Sequence, residues 1–223
     1  MNPKKIPPEA AVFNYLGLAH RDYLAGRHLL RNGFLEHGAM LASTAVEKYL
    51  KAVIGVHGMS REDHLCSSLY KLVQKCQPSL YDDLDMDFVK FLEKAYRLRY
   101  ASVSSPGLAI VINQYRTLMA LDIAIARIER GFISRDLKTP LATHYKNGIE
   151  TQDPRLIEEN VAINLGDFAL IAKKENKIME LKIENNLTTF EVRYETQGVN
   201  MQGSFLKIPE LSIHKSNFTL TRG

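Results

Sequence analysis

GAMLASTAVEKYLKAVI, residues 38–54, carries the most regular helical pattern of this chain. Its apolar and small residues recur every three or four positions, at Gly38, Leu41, Ala42, Ala45, Val46, Tyr49, Leu50, Val53 and Ile54. Because this spacing matches the turn of an α-helix, it predicts a long helix with one face in a core. His57-Gly58 would end the helix, since glycine readily adopts the left-handed conformation that follows a C-terminus.

Helical periodicity extends to the N-terminal side of this stretch. It predicts a first helix over Glu9–Leu30, which begins after Pro7-Pro8 and is ended by Asn32-Gly33. The connection to the next helix is short, and short connections favour antiparallel neighbours in a bundle.

Three more helices are predicted after residue 58. Ser60 and Asp63 have the spacing of a capping box, which predicts a short helix that stops before Pro78. Two longer helices complete the set: Tyr81–Tyr100 and Leu108–Ile128, the latter with Gly131 as its C-cap. We therefore predict a mainly α protein, an up-and-down antiparallel helical bundle of four to five helices with a small C-terminal antiparallel β region.

The pattern changes after Gly131. We interpret residues 132–160 as a linker with one short helix, because Pro140, Gly148 and Pro154 interrupt any regular pattern. From Val161 the apolar period becomes two, which predicts short strands around 161–165, 177–183, 190–194 and 211–213. The predicted regions are a helical bundle over 1–131, the linker over 132–160 and a small β-rich domain over 161–223.

Composition narrows the function classes. No apolar run approaches the roughly 20 residues that span a bilayer, and the N-terminus lacks the apolar segment of a secretory signal, so we expect no membrane contact. Cys66 and Cys76 are too few for a disulfide framework, which predicts a cytoplasmic protein. Lys and Arg outnumber Asp and Glu by 17 to 13 over residues 1–131, and the counts are equal afterwards. This mild excess suits an anionic ligand but not a DNA-binding surface.

A charged residue on an apolar stripe is informative in a bundle. Arg99 continues the stripe of the predicted 81–100 helix, whereas Arg97 lies on its polar face. A buried guanidinium must be paired or must hold an anion. Two interpretations stay open: an ion pair between Arg99 and Asp122, or an anion-binding crevice in which Tyr100 is a stacking or hydrogen-bonding neighbour.

Further polar candidates lie near the 38–54 helix. Glu47, Lys48 and Lys51 share the face away from its apolar stripe. Glu47 and Lys51 are four residues apart and are expected to form an ordinary solvated ion pair. His64 directly follows the predicted capping box and is expected in the first turn of the third helix. All four are kept as candidate ligand-binding residues.

The segment Ala45-Val46-Glu47-Lys48-Tyr49-Leu50-Lys51-Ala52 resembles the A-x-E-K-x-L-K-A helix of HEPN domains, the nucleotide-binding domains of higher eukaryotes and prokaryotes. Other features resemble the family in the expected order: Asp22-Tyr23-Leu24-Ala25, His64-Leu65 before Leu69, and Tyr96-Arg97-Leu98-Arg99-Tyr100. The resemblance covers roughly residues 10–130. It implies an up-and-down bundle that forms a homodimer, with a polar crevice at or near the dimer interface.

Many HEPN proteins are metal-independent ribonucleases with an Arg-x(4–6)-His motif near the start of the last long helix. In this chain no histidine follows Arg97 or Arg99 before His144. Two matches to the pattern lie elsewhere, on or just after the first helix: Arg21…His28 and Arg31…His37. Metal-independent RNA cleavage needs an acid or base that titrates near neutrality, and the expected histidine is missing. Zinc, P-loop and dinucleotide motifs are also missing, so we predict no catalytic residues, no metal and no cofactor.

These observations predict a dimeric, non-catalytic HEPN-like module that binds a nucleotide or RNA. Arg99 and Arg97, with Lys48 or Lys51, would hold a phosphate while Tyr100 stacks on a base. The resemblance further implies action with a nucleotidyltransferase, or in a toxin–antitoxin or defence system. Two alternatives stay open: a ribonuclease with an unconventional site of Arg99, Tyr100 and His64, and a purely structural interaction protein with a buried Arg99.

Overall fold

The computed structural model describes residues 8–100, 106–132, 141–185, 189–201 and 205–206. The predicted fold class is confirmed: the described residues are mainly helical, with a small antiparallel sheet towards the C-terminus. The helices are α1 (Pro8–Arg31), α2 (Leu35–Val56), α3 (Ser67–Cys76), α4 (Pro78–Asp83), α5 (Met86–Tyr96), α6 (Gln114–Gly131), α7 (His144–Glu150), α8 (Pro154–Ile157) and α9 (Asp167–Ile171). A 3₁₀ turn, Arg97–Tyr100, follows α5, and the strands are β1 (Ala109–Asn113), β2 (Glu175–Ile183) and β3 (Thr189–Gln197). Among the described helices, none is long and apolar enough to cross a membrane.

The first two helices form the predicted antiparallel pair. Gly33, with φ of +80°, ends α1 in the left-handed conformation that favours glycine. Near this turn a side chain at Gly38 would collide with Leu30, while at the far end one at Gly55 would collide with Val12. Small residues therefore let the two backbones approach closely along their whole length.

Helix α2 lies at the centre of the core, packed against α1, α5 and α6. Burial extends over most of its surface rather than one stripe, and it includes the charged residues Glu47 and Lys51. The aromatic rings of Tyr49, Phe88 and Phe91 are almost fully enclosed in this core. Burying a ring of this size stabilises the fold by about 1.5–3 kcal/mol.

Two predicted features between residues 58 and 100 are wrong. The capping box does not form, because α3 begins only at Ser67 and its N-cap is Cys66. The long fourth helix is also interrupted at Leu84-Asp85. The Asp85 carboxylate accepts hydrogen bonds from the backbone N–H groups of Asp87 and Phe88, so it starts a new helix at this point.

Helix α6, the last long helix, begins six residues later than predicted. Residues 109–113 form β1 instead, because the β-branched run Ile110-Val111-Ile112 finds a partner strand in β2. Asn113 then caps α6 by accepting a hydrogen bond from the backbone N–H of Arg116, at 3.1 Å. At the other end, Gly131 lies inside the helix and Phe132 is the C-cap.

The sheet has the order β1-β2-β3, with both pairs antiparallel. Ile112 pairs with Met179, and Glu180 pairs with Val192. The predicted strands around 177–183 and 190–194 are confirmed, whereas the segment around 161–165 forms turns. The predicted strand around 211–213 lies outside the described residues. Since β1 precedes α6, the sheet joins residues from both sides of the boundary that we predict at residue 131.

Part of the predicted linker is ordered against the bundle. Residues 141–160 form α7 and α8, two helices instead of the single one predicted, and both contact α1. Thr143 caps α7 by accepting from the backbone N–H of Lys146. The Arg27 guanidinium of α1 donates to the backbone oxygens of Arg155 and Glu158.

Candidate functional site

Glu47 and Lys51 form a buried ion pair on α2. Their side chains lie one helical turn apart, with 2.9 Å between Lys51 Nζ and Glu47 Oε1, and each residue is only 7% exposed. The predicted solvated pair is therefore wrong. The loop after α2 covers this face, since Lys51 Nζ also donates to the backbone oxygen of Glu62 and Glu47 Oε2 accepts from the backbone N–H of Leu65.

His64 lies in this loop and not in the first turn of α3, so that expectation is also wrong. Its Nδ1 atom lies 3.4 Å from Glu47 Oε2, and its Nε2 atom lies 3.1 Å from the hydroxyl of Tyr96. The His64 imidazole therefore lies between the Glu47 carboxylate and the Tyr96 hydroxyl, and which atom donates to Tyr96 or accepts from it depends on the imidazole tautomer. The imidazole side chain is nevertheless 64% exposed, so a ligand can reach it.

Arg99 stacks on the ring of Tyr96, which also contacts His64. Its guanidinium carbon lies 4.7 Å from the centroid of the Tyr96 ring, and the His64 ring centroid lies 4.5 Å from the same ring. Arg99 is exposed, and no carboxylate of the described residues lies within 4 Å of its nitrogen atoms. We call Glu47, Lys51, His64, Tyr96 and Arg99 the His64 cluster.

The predicted pairing of Arg99 with Asp122 is wrong. Helix α5 ends at Tyr96, and the 3₁₀ turn that follows advances about 20° more per residue than an α-helix. Arg99 is thereby turned away from the apolar stripe. Asp122 is instead paired with Arg27 of α1, and neither side chain is accessible to solvent.

The remaining candidates lie apart from the His64 cluster or cannot be placed in it. Lys48 is paired with Asp22 of α1 and so points towards a different neighbour. Arg97 is exposed on the same 3₁₀ turn as Arg99. The side chain of Tyr100 lies outside the described part of the chain. The structure thus brings together Glu47, Lys51, His64 and Arg99 from the seven candidates, with Tyr96 as the ring that joins them.

Tyr96 is a site residue that the sequence-based prediction did not include. It lies in the quoted segment 96–100, but its ring received no role. The signal was present, because Tyr96 lies three residues before Arg99 and therefore on a neighbouring position of the same helical surface. What the sequence could not show is that the loop carrying His64 folds back over α5.

A second polar network lies inside the bundle. The Tyr23 hydroxyl donates to Asp122 Oδ1 at 2.9 Å and accepts from Asn160 Nδ2 at 3.0 Å, beside the Arg27–Asp122 pair. Burial and the neighbouring carboxylate raise the pKa of Tyr23, so its hydroxyl stays protonated. These groups are fully enclosed, and we assign them a structural role. Arg27 lies four residues after Tyr23 and three before Leu30. It therefore falls on the apolar stripe of α1, and the sequence already placed it on the buried face of that helix.

Two titratable groups lie close to this network. Glu129 accepts a hydrogen bond from Thr143 Oγ1 at 2.7 Å, and burial raises the pKa of its carboxyl group to about 7. Burial, together with the neighbouring His144, lowers the pKa of His20 to about 4. Neither group is exposed to a ligand. No group of three or more His, Cys, Asp or Glu side chains within the described ranges is arranged to hold a metal ion.

The protein is a helical bundle in which an exposed arginine, an exposed histidine and a half-buried tyrosine lie beside a buried Glu–Lys pair. Residues 14–110, which are 97 of the 223 residues, match the family model of the HEPN domain. The match covers every candidate site residue but ends within β1, short of the 10–130 range of the resemblance. No curated protein and no solved structure matches the chain.

Proposed function

We propose that the HEPN domain of this protein binds a nucleotide or RNA at the His64 cluster, as a non-catalytic module. The observation that carries the proposal is the exposed Arg99 guanidinium, which stacks on Tyr96 beside His64 without a carboxylate within 4 Å among the described residues. The match of residues 14–110 to the HEPN family model supports the ligand class, since HEPN domains are generally associated with nucleotides and RNA.

The chemistry of the cluster suits a phosphate. Arginine presents a planar fork of N–H donors that matches two phosphate oxygens, and stacking on Tyr96 reduces the conformational entropy lost on binding. His64 offers a second, smaller polar group at the same surface. Lys51 is held by Glu47 and the loop, so it does not contact the phosphate, and its charge is balanced by the Glu47 carboxylate. The exposed face of the guanidinium also provides a surface on which a base can stack.

Calorimetric titration tests this proposal. The probes are nucleoside mono-, di- and triphosphates and a short single-stranded RNA. We expect wild-type protein to bind at least one probe, and Arg99→Ala to weaken that binding about tenfold or more. Arg21→Ala is the matched control, since Arg21 is another exposed arginine, on α1. The proposal fails if no probe binds below millimolar concentration, or if the two alanine variants bind alike.

The proposal also includes a homodimer that acts with a nucleotidyltransferase, or in a toxin–antitoxin or defence system. Support for this part comes from the HEPN domain alone. Sedimentation of the full chain tests the dimer: a single species with the mass of one chain at micromolar concentration would contradict it. The neighbouring genes in the source genome test the partner.

Ribonuclease activity is a second candidate function, favoured by the chain of contacts from Glu47 through His64 to Tyr96. A carboxylate that orients an exposed imidazole is a common arrangement for a general acid or base. In this case labelled RNA is cleaved by wild type without metal, and His64→Gln lowers the rate about a hundredfold or more. Cleavage that persists unchanged in His64→Gln removes this candidate.

A further inference from the structure

A long groove runs along the outer face of α6, away from the His64 cluster. It consists of two adjoining cavities of about 190 and 460 Å³ that share Ile123 and Arg127 in their linings. Seven α6 residues line it, and five of them follow one stripe of the helix at spacings of four and three: Arg116, Ala120, Ile123, Arg127 and Arg130. At 1.5 Å per residue this stripe is about 21 Å long, which is the length of a helix of about 14 residues.

The groove exposes large apolar side chains. Leu165 is 83% exposed, Phe168 45%, Met201 39% and Ile123 36%. Leu165 was predicted to lie on a strand, but the turn at 161–166 presents it to the surface instead. Clusters of this kind on a protein surface commonly mark places where another protein binds.

The edge of the groove is positively charged. Arg127 Nη1 donates to the backbone oxygen of Asp83, and within the described part of the chain no carboxylate forms an ion pair with Arg127. Arg130 is exposed, and no carboxylate of the described residues lies within 4 Å of it. None of the described residues that line the larger cavity is acidic. At the other end of the groove, Arg116 lies over the Phe205 ring and Asp85 is the acidic neighbour.

We propose that this groove binds an amphipathic, acidic helix of a partner protein. Apolar side chains of that helix fill the space between Ile123, Leu165 and Phe168, while its carboxylates face Arg127 and Arg130. A second copy of this chain fits less well, because a symmetric contact would place the same arginines opposite each other. RNA also fits less well, because Phe168 carries the sole ring among the four exposed apolar residues of the groove, and Ile123, Leu165 and Met201 offer no surface on which a base could stack.

A pair of synthetic peptides tests the proposal on the full chain. One peptide of about 16 residues carries Leu at helical spacing and Glu on both flanks, and the other has Lys in place of every Glu. Fluorescence anisotropy should show that the acidic peptide binds wild type about tenfold or more tightly than the basic peptide. Raised salt should weaken this binding, since the arginines are at the surface. The proposal is overturned if wild type binds neither peptide, or both equally.

Two sets of variants locate the binding site. Arg130→Glu should reverse the preference between the peptides, whereas Arg21→Glu, on α1, should leave it unchanged. Phe168→Ser should weaken both peptides about tenfold, whereas Phe13→Ser, at a residue that is 53% exposed on α1, should not. Equal effects of the groove variants and their α1 controls would overturn the assignment.

Sedimentation and RNA binding test the other occupants. If Phe168→Ser converts a dimer of the full chain into a monomer, a second copy occupies the groove and the proposal is wrong. Loss of RNA binding in Arg130→Glu would equally contradict it. Failure at the groove leaves the His64 cluster unaffected, because the two surfaces share no residue.

Discussion

Two arginines of the helical bundle have opposite surroundings. The side chain of Arg27 is fully enclosed, pairs with Asp122 and donates to two backbone oxygens of the segment around α8. The side chain of Arg99 is at the surface and touches the Tyr96 ring. A buried charge is costly once its partner is removed, whereas an exposed one is not. We therefore infer that Arg27 stabilises the fold, and we propose that Arg99 contacts the ligand.

Substitution of these two arginines should separate the roles. Arg27→Met leaves the Asp122 carboxylate buried without its cation, and we expect the free energy of unfolding to fall by about 3–5 kcal/mol. Arg99→Met should change it by no more than about 0.5 kcal/mol. Urea denaturation of both variants measures the difference. Equal losses in the two variants would contradict the assignment.

Glu129 and His20 should make stability depend on pH in opposite directions. The folded-state pKa of Glu129 is raised from 4.5 to about 7, so the native protein holds this proton more tightly and its stability falls as pH rises through that interval. The pKa of His20 is lowered from 6.5 to about 4, so the native protein disfavours its charged form and stability rises as pH increases from 4 to 6.5. The two contributions oppose each other over most of this window.

Variants of Glu129 and His20 should show separately the two opposing dependences of stability on pH. Glu129→Gln should make the free energy of unfolding rise more steeply between pH 4.5 and 6.5, and His20→Gln should make it fall over the same range. Each slope is limited to roughly 1.4 kcal/mol per pH unit for one proton. Denaturation curves at several pH values give the result. A profile that both substitutions leave unchanged would show that neither carboxyl nor imidazole is perturbed.

At the scale of the helices and strands, the sequence predicted an element correctly where the element that it packs against lies close in the chain. The α1–α2 pair was predicted correctly, because its periodicity, its small residues and Gly33 all lie within 50 residues. Strand β1 was missed because its partner β2 lies more than 60 residues later, and an isolated Ile110-Val111-Ile112 run also fits a helix. The interruption at Asp85 was missed because the apolar spacing continues across it.

The two possible caps before α3 and α5 provide a direct test at this scale. Asp85→Ala removes a side chain that accepts from two backbone N–H groups, and we expect a loss of about 1 kcal/mol in the free energy of unfolding. Ser60→Ala should cost no more than about 0.5 kcal/mol, since α3 does not begin near it. Thermal or urea denaturation compares them. A larger loss for Ser60→Ala would support the predicted capping box.

In the molecule as a whole, the helices of the bundle and the later segments are joined by enclosed polar contacts. Arg27, Tyr23 and Glu129 of the bundle reach α8, Asn160 and Thr143, respectively. The sequence did not show these contacts, because the Arg27 and Tyr23 contacts join residues 128 to 137 positions apart, and no regular pattern after Gly131 indicated that Thr143 packs against Glu129. More of the candidate site could be predicted from the sequence. The A-x-E-K-x-L-K-A resemblance indicated Glu47 and Lys51, but only the folded loop places His64 between Glu47 and Tyr96.

Hydrogen exchange should report this connection. We expect the backbone amides of α7 to be protected to nearly the same extent as those of α1, because both depend on the same buried network. Arg27→Met should accelerate exchange in α7 and α8 more than in α3. Fast exchange of α7 in the wild-type protein would show that this segment opens independently of the bundle.

The most direct test of the central claim, ligand binding at the His64 cluster, is the NMR signal of the His64 ring. Adenosine monophosphate, as the simplest probe with both a base and a phosphate, is added at constant pH while the imidazole C–H resonances are followed. We predict that the His64 resonance shifts and saturates, that the enclosed His20 ring does not respond, and that Arg99→Ala abolishes the His64 shift. A His64 resonance that stays unchanged at millimolar nucleotide, or shifts equally in Arg99→Ala, would contradict the account.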